Sequence, residues 1–440
     1  MITRYPPLGA SSADALNVTG QLSVSLADGV QLDSFSRLRV SEAYTLFDSQ
    51  QEYGLDTIRT WDASANGTPA ILSSSGSAAS GSNAVGPTNS STRLTPITVS
   101  STDTHYSILQ SRQYIRYVPG KSHLVFLTGI FAPGASSVAS LVRRTSTSGS
   151  VVDNEVLQSD WNIDKLDGTG VSGITIDFTK TQILFISAQW LAVGRVIVGF
   201  DIDGVLYPVH QFVNANVLTV PYTQTFNLPV RLEIRQVTTS AVARCGYFDS
   251  ANGIFLKTTK VQSGGTIQFI CCSVQSEGGV AARGYPFTSP SSVTTIGVTT
   301  RRPVMSIRPK ALFNSRTNRA HINEVQAYIK ATTNDALFEI VIGGTLTGAS
   351  FASVHADSVT EVDVGATAIT GGIQVYADFV IAGTGSRGGS SAASLDARNP
   401  LTLSQIDALT ATQVPITLVC TSVTGTSNIA SGMNWHELTI

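Results

Sequence analysis

The sequence predicts an all-β protein: a large antiparallel β-sandwich followed by a smaller C-terminal β-sandwich. Three observations predict it. First, from Arg195 to Ile202, Val196, Val198, Phe200 and Ile202 alternate with Arg195, Gly199 and Asp201, Ile197 being the exception. Successive strand side chains point to opposite faces, so this is a half-buried strand. Asp203-Gly204 follows. Both residues tolerate the positive φ of a type I′ turn, so Val205 to Phe212 should return as the antiparallel partner. Second, short β-rich runs recur at roughly even spacing between Gly, Pro and Asn turns, which is how a sandwich reads. Third, helical periodicity is almost absent. Leu403 to Ala411 is the one candidate.

In chain order, residues 1–48 are expected to form an N-terminal anchor segment and a first strand. There Leu38 and Val40 alternate with Arg37 and Arg39, and Tyr44, Leu46 and Phe47 make an apolar cluster. So short a strand must add to a sheet, either its own sandwich or a neighbour's. In the docking version Arg37, Arg39 and Phe47 are assembly residues. In the other version this is simply the first strand of the sandwich. Residues 49–290 are the large sandwich. Its expected strands are Thr95–Ser100, Ser107–Val118, Lys121–Phe131, Leu141–Thr145, Val151–Leu157, Gln182–Ile186, the hairpin, Val217–Val220, Val230–Val237, Ala241–Tyr247 and Thr266–Val274. Residues 73–92 are a Ser/Gly-rich insert, too poor in apolar surface to offset its ordering entropy unless it lies against a neighbouring subunit. Residues 291–302, within a Pro/Ser/Thr-rich stretch that starts at Tyr285, read as a linker. Residues 303–440 are the smaller sandwich, with strands at Val304–Arg308, Glu324–Ala331, Leu337–Ile342, Val359–Val364, Gly372–Ala382, Ile416–Ser422 and Asn434–Leu438.

Composition narrows the function. The chain has 440 residues, a net charge of −2 and only 13% charged residues, about half the usual share. Ser, Thr and Gly take their place. Such a surface suits a protein packed against many neighbours, and a homo-oligomer, most simply a trimer, is expected. No basic stripe is present, so nucleic acid is not an expected partner. The first residues lack the apolar core of a secretory signal, and no run of about 18 apolar residues occurs. No membrane insertion is expected, and synthesis in a cytoplasm is. Cys245, Cys271, Cys272 and Cys420 have no metal-ligand spacing and read as free thiols in a reducing compartment.

Catalytic motifs are thin. Asp201-x-Asp203-Gly204 lacks the further oxygen ligands of a calcium loop and is explained by the turn. Asp160, Asp164 and Asp167 form a better acidic cluster, with a solvated loop as the plainer reading. The six histidines are scattered, and neither HExxH nor GxSxG occurs. Glycan cleavage needs two carboxylates across a cleft. Glu233 and Asp249 are candidates that the sequence cannot place opposite each other. His210 shares a predicted face with Leu206 and Phe212 and reads as a core or interface residue. Trp61, Trp161, Trp190 and Trp435 could be glycan platforms or, more plainly, core and subunit contacts. No catalytic residue, metal or cofactor is expected.

Several segments carry a resemblance. They are Asp33 to Ser41, Thr45 to Asp48, Pro119 to Ser122, Trp161 to Gly170, Asp177 to Gln182, Trp190 to Val196, Asp203-Gly204, Asn227 to Pro229 with Arg231, and Ser306 to Lys310. In order and spacing they resemble a family of virion structural proteins of tailed bacteriophages. The large sandwich with its hairpin also looks like a jelly roll of the concanavalin/laminin-G type. The resemblance implies a non-enzymatic part of a virion, made in the host cytoplasm. Its place would be a tail, a fibre or another appendage, or alternatively capsid decoration or a head fibre. The implied partners are copies of itself, other virion proteins and a host-surface glycan. A more distant alternative is a glycan-binding or glycan-cleaving module.

Overall fold

The computed structural model describes residues 43–52, 54–56, 59–65, 70–71, 84–86, 88–135, 137–189, 191–278, 284–290, 295–318, 320–383, 390–394 and 413–438. Ala43–Ile440 is one compact unit. The protein is all-β: a large antiparallel sandwich of jelly-roll type and a smaller one after it. Among the described residues the only helical element is a single 3-10 turn at Gln158–Asp160. The helix candidate 403–411, the assembly residues Arg37 and Arg39, and most of the Ser/Gly insert lie outside the described residues.

In the first sheet of the large sandwich the order runs Val205–Phe212, Val196–Ile202, Gln182–Ala188, His123–Ile130, Gly265–Ser276, Thr95–Val99, Ala84–Val85. The long Gly265–Ser276 strand has room for two partners on one edge. Thr95–Val99 takes its first part, and Tyr44–Gln50 takes the rest, from Cys271 to Ser276. The 44–50 segment is therefore a strand of its own sandwich, paired with Gly265–Ser276. Phe47 is 6% exposed and belongs to the core. The second sheet runs Ala70–Ile71, Thr60–Ala65, Tyr106–Ser111, Val230–Val237, Ser240–Phe248, Gly253–Lys260, Val138–Thr145, Val152–Leu157. Between the sheets lie Val196, Val198 and Phe200 from one side and Val230, Leu232 and Ile234 from the other, all nearly solvent-free.

The hairpin forms as the alternation dictates. Asp203 and Gly204 both have positive φ (54° and 80°), and Gly204 N donates to Asp201 Oδ1 at 2.9 Å. One detail differs. The register shifts between Val198 and Gly199, inserting an extra residue in the returning strand. A bulge reverses which side chains face inward, so Leu206 stays exposed while His210 and Phe212 are buried. The expected common face is broken. The outer edge of that strand is covered by the 158–180 loop: Asn162 exchanges hydrogen bonds with the backbone of Gln211, and Ile163 N donates to Val209 O. Covering an edge in this way removes a template for unwanted pairing.

The smaller sandwich sets the sheet Tyr285–Pro290, Ser427–Leu438, His321–Ala331, Ser390–Ser394 against the sheet Ala352–Ser353, Thr360–Asp363, Arg302–Pro309, Ile416–Ser422, Ala336–Ile342, Ile373–Val380. Its core holds Phe338, Ile340, Leu418, Met433 and Trp435. The expected boundaries shift here. Tyr285–Pro290 pairs with Ser427–Leu438, and so does Ile296–Val298 inside the expected linker. Both belong to the smaller sandwich. The partner strand runs from Ser427, well before the expected Asn434, and offers backbone groups along its whole length. Pairing with it overrides the turn-like composition. Pro286 and Pro290 are tolerated because their strand is an edge. The two sandwiches meet where His321 Nε2 donates to Tyr114 O at 2.7 Å.

Candidate interaction face

In Val230–Val237 the residues between the core positions are Arg231, Glu233 and Arg235, so all three stand on the outer face of the second sheet. Register places Glu233 between Ile108 on one neighbour and Arg244 on the other, with Lys257 and Ser140 next along the same row. Diagonal and opposite neighbours on one sheet face lie within reach of long side chains. The result is a network centred on Glu233.

Arg231 donates twice to Glu233 Oε2, from Nε at 3.0 Å and from Nη2. Arg235 Nε reaches Oε1 at 2.7 Å, and Arg244 Nη1 reaches the same oxygen at 2.5 Å. Three arginine stems thus cover one carboxylate, and its side chain is 1% exposed. Burial alone would raise the carboxyl pKa. The three guanidinium groups outweigh it and hold the group well below the usual carboxylate range. Gln110 Oε1 accepts from Arg231 Nη1, and the Phe248 ring lies 5.5 Å from that guanidinium. Further along the face Lys257 Nζ donates to Glu155 Oε2 at 2.7 Å, while Ser140 Oγ donates to Oε1. Arg144 grips Asp153 with two parallel hydrogen bonds of 2.8 and 2.9 Å and lies over the Phe255 ring. Five cations meet three anions in this network, and each anion is held by at least one cation.

Three other acids singled out in the sequence are also occupied. Asp249 accepts from the backbone of Ala251 and Asn252 and closes a turn. Asp164 accepts from Leu166 N and Ser172 N and is buried, with a carboxyl pKa lowered by those hydrogen bonds in spite of burial. Asp167 binds Thr169. Among the described residues no group of three His, Cys, Asp or Glu is placed to hold a metal ion. Trp161 and Trp435 are core residues; Trp190 and the side chain of Trp61 lie outside the described residues. Cys245, Cys272 and Cys420 are buried free thiols, and Cys271 is half-buried. His123 and His321 are buried, and burial pushes both imidazoles down to about 4.

The sequence singled out Glu233 as an acid and Arg231 only within the resemblance, and it did not single out Arg235 or Arg244. The signal was present in the alternation Arg231-x-Glu233-x-Arg235, which puts the three on one face. Arg244, Lys257 and Glu155 come from other strands, and only pairing register brings them in.

No family model matches the chain, and no curated protein matches it. Solved structures with some likeness include a prokaryotic β-1,3-1,4-glucanase (lichenase) derived from a mouse hindgut metagenome. It is 8% identical, with 53% of this chain and 99% of that chain covered and a TM-score of 0.18. The β-glucanase of Bacillus licheniformis is 10% identical, with 53% and 98% covered and a TM-score of 0.16. A structure of infectious bursal disease virus, Gx strain, is 10% identical, with 90% and 81% covered and a TM-score of 0.08. At such scores none of them carries an argument about what this chain does.

Proposed function

We propose that this chain is a non-enzymatic structural subunit of a tailed-phage virion, in its tail, a fibre or another appendage. It acts by assembly with copies of itself and with other virion proteins. The particle part of this reading rests on the sequence segments that resemble phage structural proteins. The non-enzymatic part is carried by one observation: Glu233, the central acid of the large sheet's outer face, is closed off by three arginines. A general acid must hold a proton near neutral pH and reach its substrate. A carboxylate held far below its usual range and 1% exposed does neither. Networks of this kind suit a sheet face that must stay polar and fixed in shape while it lies against another surface.

The test has two arms. Mass spectrometry of purified particles from a phage encoding this chain should find it in stoichiometric amount, and a map of the particle should place it. Its absence from particles overturns the virion reading. Separately, the purified protein should release no reducing ends from host capsule or lipopolysaccharide. Release that is lost in Glu233→Gln overturns the non-enzymatic reading.

A further inference from the structure

At one end of the large sandwich, residues 191–194 and 213–222 form two loops held to each other. Tyr222 N donates to Ala192 O at 3.1 Å, and Asn214 Nδ2 donates to Gly194 O at 2.6 Å. Between them they expose five aliphatic side chains: Leu191, Val193, Val213, Val217 and Val220, the most open of which is Val217 at 65%. Leu191, Ala192 and Asn216 have positive φ (34°, 64° and 61°), a conformation that costs non-glycine residues energy.

Beneath this rim lies Arg143. It comes from Val138–Thr145 and, in register with the core residue Ile254, points between the sheets. Its Nη1 donates to Asn214 Oδ1, and its guanidinium lies 5.7 Å from the centre of the Phe212 ring. Among the described residues no carboxylate lies within ion-pair distance of it, in contrast to Arg144 next to it. Its Nε is buried without a partner. The hydroxyl of Tyr222, a side chain only 2% exposed, is also buried without a partner and lies within electrostatic reach of Arg143. A half-buried cation with no counter-charge and one buried N–H unpartnered, beside a buried hydroxyl with no partner, is costly unless something supplies an acceptor.

We propose that this end of the sandwich is a docking site for a carboxylate carried on an apolar segment of another protein chain. Arg143 receives the carboxylate, the Tyr222 hydroxyl donates to it, and the aliphatic rim covers the apolar flanks. Charge complementarity fixes the acid. The rim fixes the kind of partner: its open side chains are aliphatic, whereas sugar rings are gripped by aromatic faces. Both unpartnered atoms are shut off from solvent, so entry requires the two loops to part, which also releases their strained backbone. The inference stands on these residues alone and holds or fails independently of the virion reading.

The test uses the full chain: isothermal titration calorimetry gives the affinities of the native protein and its variants, and selectively labelled arginine lets the Arg143 Nε–Hε signal be followed by NMR in the native protein. The probes are the peptide acetyl-Val-Glu-Val-amide, its Gln analogue, and glucuronate. The Glu peptide should shift the Arg143 signal saturably. The Gln analogue, and the variant Arg143→Gln with the Glu peptide, should bind at least about tenfold more weakly, the usual worth of a charge-assisted hydrogen bond. Tyr222→Phe should weaken binding about threefold or more without lowering Tm. Arg143→Gln should keep or raise Tm, since it removes a cation with no counter-charge. Equal binding of the two peptides, no saturation up to about 10 mM, unchanged binding by Tyr222→Phe, or a lowered Tm in Arg143→Gln each overturns the proposal. Glucuronate binding more tightly than the Glu peptide overturns it in favour of an acidic sugar.

Discussion

Replacing Glu233 with Gln probes the centre of the large sheet's outer face. The change keeps the shape and one acceptor oxygen but removes the only carboxylate that Arg231, Arg235 and Arg244 share. The arginines do not suffer equally. Arg235 is 36% exposed and Arg244 19%, so both can turn part of their charge to water. Arg231 is 3% exposed and cannot. Breaking a buried ion pair from one side costs about 3–5 kcal/mol, because an uncompensated charge is left behind. With one of three arginines fully trapped, the lower end applies, and about 3 kcal/mol is expected. Urea denaturation measures it; guanidinium would screen the ion pairs being tested. The double variant Arg231→Met, Glu233→Gln should recover most of the loss, because the trapped charge is then gone. A loss under about 1 kcal/mol in the single variant, or no recovery in the double, would refute the idea that burial of Arg231 makes this network necessary.

Other outcomes follow from the same geometry. His123 and His321 are neutral in the fold, with values near 4 against about 6.5 when unfolded. Between those values the unfolded chain binds protons that the folded chain does not. Stability is therefore full above about pH 6.5 and falls as pH drops from there towards 4, by about 3 kcal/mol per histidine; His321→Gln should lessen the slope of stability against pH measured by urea titration. In Gly199→Ala, the new Cβ would sit 2.2 Å from Tyr207 O and 2.6 Å from the Phe185 ring, and calorimetry should show a loss of about 2 kcal/mol. In the native protein a thiol reagent should modify Cys271 alone. Cys245, Cys272 and Cys420 should react only on unfolding, since burial raises their pKa and blocks access.

The elements that local pattern controls were legible in the sequence. The hairpin at 196–212, the buried strand His123–Ile130 and the alternating Val230–Val237 all declare their periods. Where distant partners decide, local reading failed. Gly253–Lys260 (GIFLKTTK) has a short apolar start and a polar end, a pattern that declares no strand. It is a strand because Ser240–Phe248 and Val138–Thr145 pair with it on both sides. Ser107 to Val118 was expected as one strand, yet the strand ends at Ser111. Beyond it Ile115 makes only an isolated bridge to Leu228. Val217 to Val220 was expected to be a strand from its valines. It is an open loop, and its valines face solvent. Apolar residues signal a strand only if folding buries them, and these are not buried within the chain.

Exposed valines bear on how the chain makes contacts. A protein with few charges could still steer partners by leaving them free on one face. This one closes its densest charges on each other: Glu233 with three arginines, Glu155 with Lys257, Asp153 with Arg144. Closed pairs project little field beyond their own neighbourhood, and this face keeps a surplus of only two cations (five against three acids). The outer face is thus built to hold its shape. At the end of the same sandwich the pattern reverses, with Arg143 left without an acid among the described residues, beneath exposed aliphatic side chains. Apolar surface gives contact strength without long range, and a lone half-buried cation gives a condition the partner must meet. Short-range adhesion with one specific demand would suit a subunit that assembles in a fixed register, the reading proposed above, and would give a use to five aliphatic side chains left in the open at one place.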